Sequence, residues 1–202
     1  MAFTFFMRDL PVIEQAVTHT VQFASGRLWT KIWDAGSALG QETYTVAIAL
    51  AEKMGRFAFN NLRIDATDYD EENRFGDVVR NAIYHYDELK RMPEEYFKKY
   101  FEPTDVPGHY RVVDKLRNQV FFQYHDLCSL KPIGNDYSLV VCKNVLLHLN
   151  HDQRVKVIRM FHEALTPGGY FVTEHTQKLP AELKHLFEQI VPDAQLFRKV
   201  NG

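Results

Sequence analysis

Two rhythms of apolar positions alternate along the chain. Val12, Ile13, Ala16, Val17 and Val21 recur at helical spacing and predict a helix over 9–23, with Asp9 as its cap and Pro11 in its first turn. Residues 28–33 read as a short buried strand. Residues 41–54 read as a helix with Tyr44, Ala47, Ile48 and Ala51 on one face. Apolar runs predict further strands at 62–67, 120–124, 137–142, 170–173 and 194–200. Helical patterns recur at 152–165 and 179–190. Another helix opens at the acidic stretch 68–72, and one over 86–100 is broken at Pro93. Pro103, Pro107 and Gly108 predict a loop and then a hairpin strand at 110–113. Strands that alternate with helices, several of them apolar without alternation, imply a mostly parallel sheet covered on both faces. The expectation is one α/β domain over 1–202, with a small β-hairpin insertion at about 102–120.

Composition narrows this little. A chain of 202 residues is long enough for one sizeable core. A net charge of −2 gives a nucleic-acid role no support. No apolar run reaches the length of a membrane span. The apolar start, Met1 to Met7, lacks the basic region and cleavage site of a signal peptide. Cys128 and Cys142 have no metal spacing and read as core residues of a protein in a reducing cytoplasm. No metal site is expected, since the histidines around His148, His151, His162 and His175 do not form a ligand pattern.

In an open α/β sheet, ligands bind beyond the carboxyl ends of the strands. The chemistry is therefore sought at Asp34 to Gly40, Asp68, Asp126, Asn144, and Glu174 with His175. Gly36 and Gly40 bracket a tight strand-to-helix turn that lets a ligand approach the backbone. The spacing is neither GxGxxG nor a phosphate-gripping loop ending in Lys-Ser/Thr, so a ligand without phosphates fits better. An acid ending the next strand, Asp68, suits the hydroxyls of a ribose; an N-cap is the blander role for it. S-adenosyl-L-methionine meets both requirements.

Further along, a resemblance becomes specific. Thr4-Phe-Phe-Met-Arg8, Ala38-Leu-Gly-Gln-Glu-Thr-Tyr-Thr45, Ala66-Thr-Asp-Tyr-Asp70 and Arg80-Asn-Ala-Ile-Tyr84 occur in order. Cys142-Lys-Asn-Val-Leu-Leu-His-Leu149, Leu165-Thr-Pro-Gly-Gly169, Glu174-His-Thr-Gln177 and Phe197-Arg-Lys199 follow them. With compatible spacing over nearly the whole chain, they resemble the motifs of the CheR chemotaxis methyltransferases, S-adenosylmethionine-dependent protein-glutamate O-methyltransferases. The resemblance implies a class I, Rossmann-like methyltransferase fold with S-adenosylmethionine as cofactor and S-adenosylhomocysteine as product.

It also implies roles. Thr4 and Arg8 touch the methionine end or the reacting centre. Glu42 reaches the methionine amino group or orders the glycine turn. Asp68 holds the ribose, Asp126 and Leu127 flank the adenine, and Asn144 and Val145 give backbone contacts near the sulfonium. Arg8 is expected to hold the acceptor carboxylate, helped by Tyr84 or Arg80. His148 stands where the family has a tyrosine and can act as a base. Phe3, Phe5 and Phe6 are expected to pack as core or as a lid over the cofactor.

The family usually carries a small helical domain ahead of the first motif, where this chain begins. That weakens a receptor-specific reading, although a receptor or signalling-protein partner fits the family. Two alternatives stay open. One is a methyltransferase acting on a small molecule or another nucleophile, with His148 as base. The other is a catalytically weak cofactor-binding interaction module. A nicotinamide-dependent dehydrogenase is disfavoured by the missing GxGxxG.

Overall fold

The apolar run of residues 30–35 becomes the central strand of a seven-stranded sheet. A computed structural model of the chain describes residues 4–200. In order, its elements are α1 (Leu10–Ala24), β1 (Thr30–Ala35), α2 (Gln41–Lys53), α3 (Arg56–Asn60), β2 (Leu62–Asp68), α4 (Arg74–Asn81), β3 (Ile83–His85), α5 (Tyr86–Leu89) and α6 (Glu94–Tyr100). They continue with β4 (Phe101–Pro103), β5 (His109–Val112), α7 (Asp114–Arg117), β6 (Val120–Tyr124), β7 (Tyr137–Val141), α8 (His151–Ala164), β8 (Leu165–Val172), β9 (Phe187–Gln189) and β10 (Leu196–Lys199). The main sheet has the order β6-β2-β1-β7-β8-β10-β9. The first five of these strands run parallel, and β10 is antiparallel to both β8 and β9. This is the doubly wound α/β class expected, and its order reverses between β1 and β7, which opens a crevice at their carboxyl ends.

Side-chain alternation divides the core. Ile32, Ile64, Leu139 and Val141 face α1 and α2 and pack with Ile13, Val17 and Ile48. Trp33, Val140 and Phe171 point the other way and pack with Val157, Ile158 and Phe161 of α8. Each such side chain contributes about 1.5–3 kcal/mol by leaving water. Two polar pairs lie inside the core: Trp33 Nε1 donates to Thr67 Oγ1 (2.9 Å), and the Tyr137 hydroxyl donates to Asp65 (2.8 Å).

The structure departs from the pattern in several places. Residues 179–190 form no α-helix but a short 3₁₀ turn, Ala181–Leu183, followed by β9. Their apolar spacing fits a helix, but pairing with β10 satisfies the backbone and buries Phe187 against Phe171 and Phe197. The β insertion is a separate three-stranded antiparallel sheet, β3-β5-β4, drawn from residues 83–112. Its first strand is too short for a periodicity signal. Helix α4 starts at Arg74 rather than within 68–72, because the Asp70 carboxylate accepts the N–H groups of Arg74 and Gly76 (2.8 Å each). The strand expected from residue 28 begins at Thr30 and runs on to Ala35; Leu28 and Trp29 are 67% and 60% exposed. Asp9 sits at the N-cap of α1 but makes no capping bond, its carboxylate being turned to Lys143. Cys142 is buried but Cys128 is exposed, because it lies in the turn after β6 and not in a strand. Phe3 lies outside the described residues. Among those described, no helix is long and apolar enough to cross a membrane.

Candidate functional site

The loop after β1 shapes the site. Gly36 has φ 101°, and a Cβ there would stand 2.1 Å from Val145 Cγ2, so only glycine allows the two loops to meet. The N–H groups of Gly36 and Ser37 both donate to Thr67 O (2.8 and 3.0 Å), and the Ala38 N–H donates to Asp68 Oδ2 (2.7 Å). The β1 turn is thereby fastened to the end of β2. Gly40, φ 88°, caps α2; a Cβ there would lie 2.9 Å from the Tyr84 hydroxyl.

A cavity of about 460 Å³ opens over this turn, beyond the carboxyl ends of β1, β2 and β7. Gly36, Ala38, Glu42 and Asp68 line one side, and Lys143, Asn144, Val145, Leu147 and His148 the other. Thr4 and Arg8 reach in from the N-terminal segment. That segment is held at several points. The Met7 N–H donates to Thr45 Oγ1 (3.0 Å), and Phe6 is buried edge-on against Tyr84 and Phe101. Asp9 pairs with Lys143 (2.6 Å). A smaller pocket of about 160 Å³ shares Gly36, Asp68 and Val145 and continues to Asp126 and Leu127.

Acids gather at and behind the turn. Thr43 Oγ1 donates to Asp34 Oδ2, while Asp34 Oδ1 is buried without a partner among the described residues. Burial raises the Asp34 carboxyl to about 7, against the pull of the Thr43 bond, and the charge of Asp68 adds to it. Burial likewise holds the Glu42 carboxyl well above the usual carboxylate range, reinforced by Asp34 and opposed by Lys143 and Arg8. Asp68 is raised more mildly, again first by burial. At the end of β7, Asn144 takes a left-handed conformation (φ 60°), and its N–H donates to Glu174 Oε2 (2.8 Å).

Thr4, Arg8, Gly36, Glu42, Asp68, Asn144, Val145 and His148 thus meet at one cavity, with Asp126 and Leu127 in the adjoining pocket. Gly40, Tyr84 and Arg80, all expected at the site, line neither space. Gly40 caps α2 behind the turn. Tyr84 is buried beneath it, its hydroxyl donating to Leu39 O (2.9 Å), so it braces the turn and does not face an acceptor. Arg80 is exposed, pairing with Asp77 and covering Phe122. Lys143 and Leu147 escaped sequence reasoning. Lys143 was legible as the cation inside Cys-Lys-Asn; Leu147 carried no signal. Among the described residues, no three or more His, Cys, Asp or Glu side chains converge as a metal would require.

Comparison with known proteins agrees with the motif order. The sequence profile of the CheR methyltransferase, SAM binding domain, matches residues 3–195. The "Probable chemotaxis protein methyltransferase" of Rhizobium etli is 25% identical over 93% of this chain and 72% of its own length. "Chemotaxis protein methyltransferase 2" of Pseudomonas aeruginosa is 28% identical over 79% of this chain and 57% of its own. The "Chemotaxis protein methyltransferase" of Escherichia coli is 27% identical, and the chain spans 51% of it. Among solved structures, a TehB-like SAM-dependent methyltransferase from Corynebacterium glutamicum overlaps 91% of this chain and 85% of its own at 15% identity, with a TM-score of 0.46.

Proposed function

The chain belongs to the CheR methyltransferase family, as its S-adenosylmethionine-binding domain, and from that premise we propose that it transfers a methyl group from S-adenosylmethionine to a carboxylate of a protein acceptor. The observation that carries the reading is Asp68, which stands at the junction of the two cavities, beside the glycine turn. An acid there suits a ribose, with one neighbouring space for a base and the other for an amino-acid tail.

The lining fits such a ligand. Asp68 holds the ribose hydroxyls, and Asp126 and Leu127 flank the adenine. Thr4, Asn144 and Val145 hold the methionine end. Gly36 supplies the close backbone approach that a side chain would block. Glu42, in the lining, offers its carboxyl to a cationic amino group, whose charge draws that carboxyl back toward its ionised form. When bound, the cofactor supplies a methyl carbon already activated by its positive sulfur.

A carboxylate acceptor is ionised at neutral pH and needs no base. The chain has then to align it and shed part of its water. Arg8, on the roof of the cavity, grips it through charge-assisted hydrogen bonds, and His148 on the rim donates another. A signalling-protein partner and a cytoplasmic setting belong to the same proposal. A second reading rests on the exposure of His148 at the cavity mouth, where it could instead take a proton from a hydroxyl or amine acceptor.

Titration calorimetry with S-adenosylhomocysteine tests the first step: the parent protein binds it, and Asp68→Ala binds it about a hundredfold more weakly. No heat from the parent protein would sink the proposal. Radiolabelled methyl transferred to a protein acceptor is then released as methanol by mild alkali; an alkali-stable product would favour the His148 base.

A further inference from the structure

Beyond the carboxyl end of β8 lies a groove of about 670 Å³, bounded by residues 175–184 and by the β9–β10 hairpin. It begins one residue past Glu174, whose carboxylate accepts the Asn144 N–H at the edge of the first cavity (2.8 Å). On its other side Gln195 O accepts the Thr173 N–H (3.0 Å). The groove and the cavity therefore lie at the same end of the sheet, with the Glu174 strut between them, and they share no lining residue.

The floor is aromatic: Phe187 and Phe197 are 4% and 2% exposed. One wall is stiff, because Gln189 Nε2 donates to the carbonyls of Val191, Pro192 and Ala194. The rim carries Lys178, Lys184 and His175, and no carboxylate lines the groove. Of the acids beside it in sequence, Glu174 accepts the Asn144 N–H, Glu182 pairs with His151 (2.8 Å) and Glu188 with Arg198 (2.6 Å), while Asp193 stands exposed next to Pro192. Among the described residues neither lysine's ammonium forms an ion pair or hydrogen bond. The buried Gln195 side chain is likewise not bonded to a described residue, so its amide is available to a peptide backbone.

Leu179 and Pro192, which still present apolar surface, lie below a cationic rim, and that pairing selects a ligand with an apolar face and carboxylates at its edges. An extended acidic segment has that form, since alternate side chains point to opposite sides. We propose that this groove docks an acidic segment of the methyl-acceptor protein, holding the acceptor at a second place beside the transfer site. The inference rests on the protein-acceptor reading above. The charges steer and register the segment, while Leu179 and Pro192 supply apolar contact.

Fluorescence anisotropy of a labelled peptide alternating glutamate with leucine, together with its lysine–leucine counterpart, tests the groove on the full chain. The acidic peptide binds and the basic one does not. Lys178→Glu with Lys184→Glu weakens acidic-peptide binding about tenfold, and added salt weakens it further. Lys98→Glu, a charge reversal on α6 remote in the chain, leaves it unchanged. S-adenosylhomocysteine binding stays at the parent value in all variants, which shows that they are folded and separates the two claims. If the parent protein binds S-adenosylhomocysteine while the acidic peptide binds the double variant as tightly as the parent, the groove proposal is overturned and the functional reading stands. If free glutamate or inorganic phosphate competes as well as the peptide does, the groove is an anion site and not a protein dock. If the parent protein fails to bind S-adenosylhomocysteine, the functional reading falls and the inference falls with it.

Discussion

The Lys143 ammonium, at the carboxyl end of β7, lies 2.6 Å from the Asp9 carboxylate, linking residues 134 positions apart. The Lys143 side chain is 1% exposed and that of Asp9 47%. The pair ties the segment that carries Thr4 and Arg8 to the far wall of the cavity.

The two partners should respond unequally. Lys143→Met replaces a buried cation with an apolar chain of similar volume and leaves only a half-exposed acid, so stability changes by about 1 kcal/mol or less. Asp9→Ala leaves the buried ammonium without its nearest partner and costs about 1–3 kcal/mol. Both loosen the segment and weaken S-adenosylhomocysteine binding several-fold. Urea melts and calorimetry read the two effects, and equal melts for the two variants would refute the asymmetry.

Gly36→Ala meets both a positive φ and Val145. It should destabilise the protein by about 2–4 kcal/mol. Adding Val145→Ala removes the methyl that would clash, so the double variant regains about 1 kcal/mol or more, whereas the backbone part of the cost remains. Strictly additive losses would show that the two loops do not press on each other.

The Asp34 carboxyl, raised by burial to about 7, makes stability depend on pH. Between the usual carboxylate range and about 7 the folded chain binds more protons than the unfolded one, so stability falls as pH rises through that window and then levels off. Asp34→Asn should flatten this slope, by an amount on the order of a few kcal/mol. Glu42, also raised, keeps part of it. Denaturation followed from pH 5 to pH 8 checks the sign; stability rising over that window in the parent protein would contradict it.

His148→Phe distinguishes the two acceptor chemistries. With a carboxylate acceptor the rate falls less than about tenfold, because no proton has to leave. A loss of about a hundredfold or more, together with alkali-stable product, would assign His148 as the base.

Tyr84→Phe should cost about 1 kcal/mol of stability through the lost bond to Leu39 O. The transfer rate per folded molecule should stay within about twofold, since the hydroxyl faces the turn and not the cavity. A rate loss without a stability loss would restore Tyr84 to the reaction.

Most of the cavity was legible because its residues end strands. An apolar run that stops at a polar residue announces the carboxyl end of a buried strand, and Asp68, Asp126 and Asn144 stand at or just past such places. Tyr84 lies beneath the turn and not in the cavity lining, because a motif gives position along the chain but not the direction of a side chain. Residues 179–190 were misread because Leu183, Phe187 and Ile190 suit a helix as well as they suit the edge of a sheet. Only the free hydrogen-bonding edge of β10 decides between the two.

The sequence by itself determined the α/β class, the strand-end chemistry and the family, since burial on both faces of a sheet and motif spacing are written locally. The tertiary structure alone decided which distant groups meet. Lys143 found Asp9, Val145 made Gly36 obligatory, Asp34 came to rest fully buried behind the turn, and a cationic rim appeared above Phe187 and Phe197. Those relations depend on packing between segments far apart in the chain, where volume, charge and desolvation act together and local pattern carries no record of the partner.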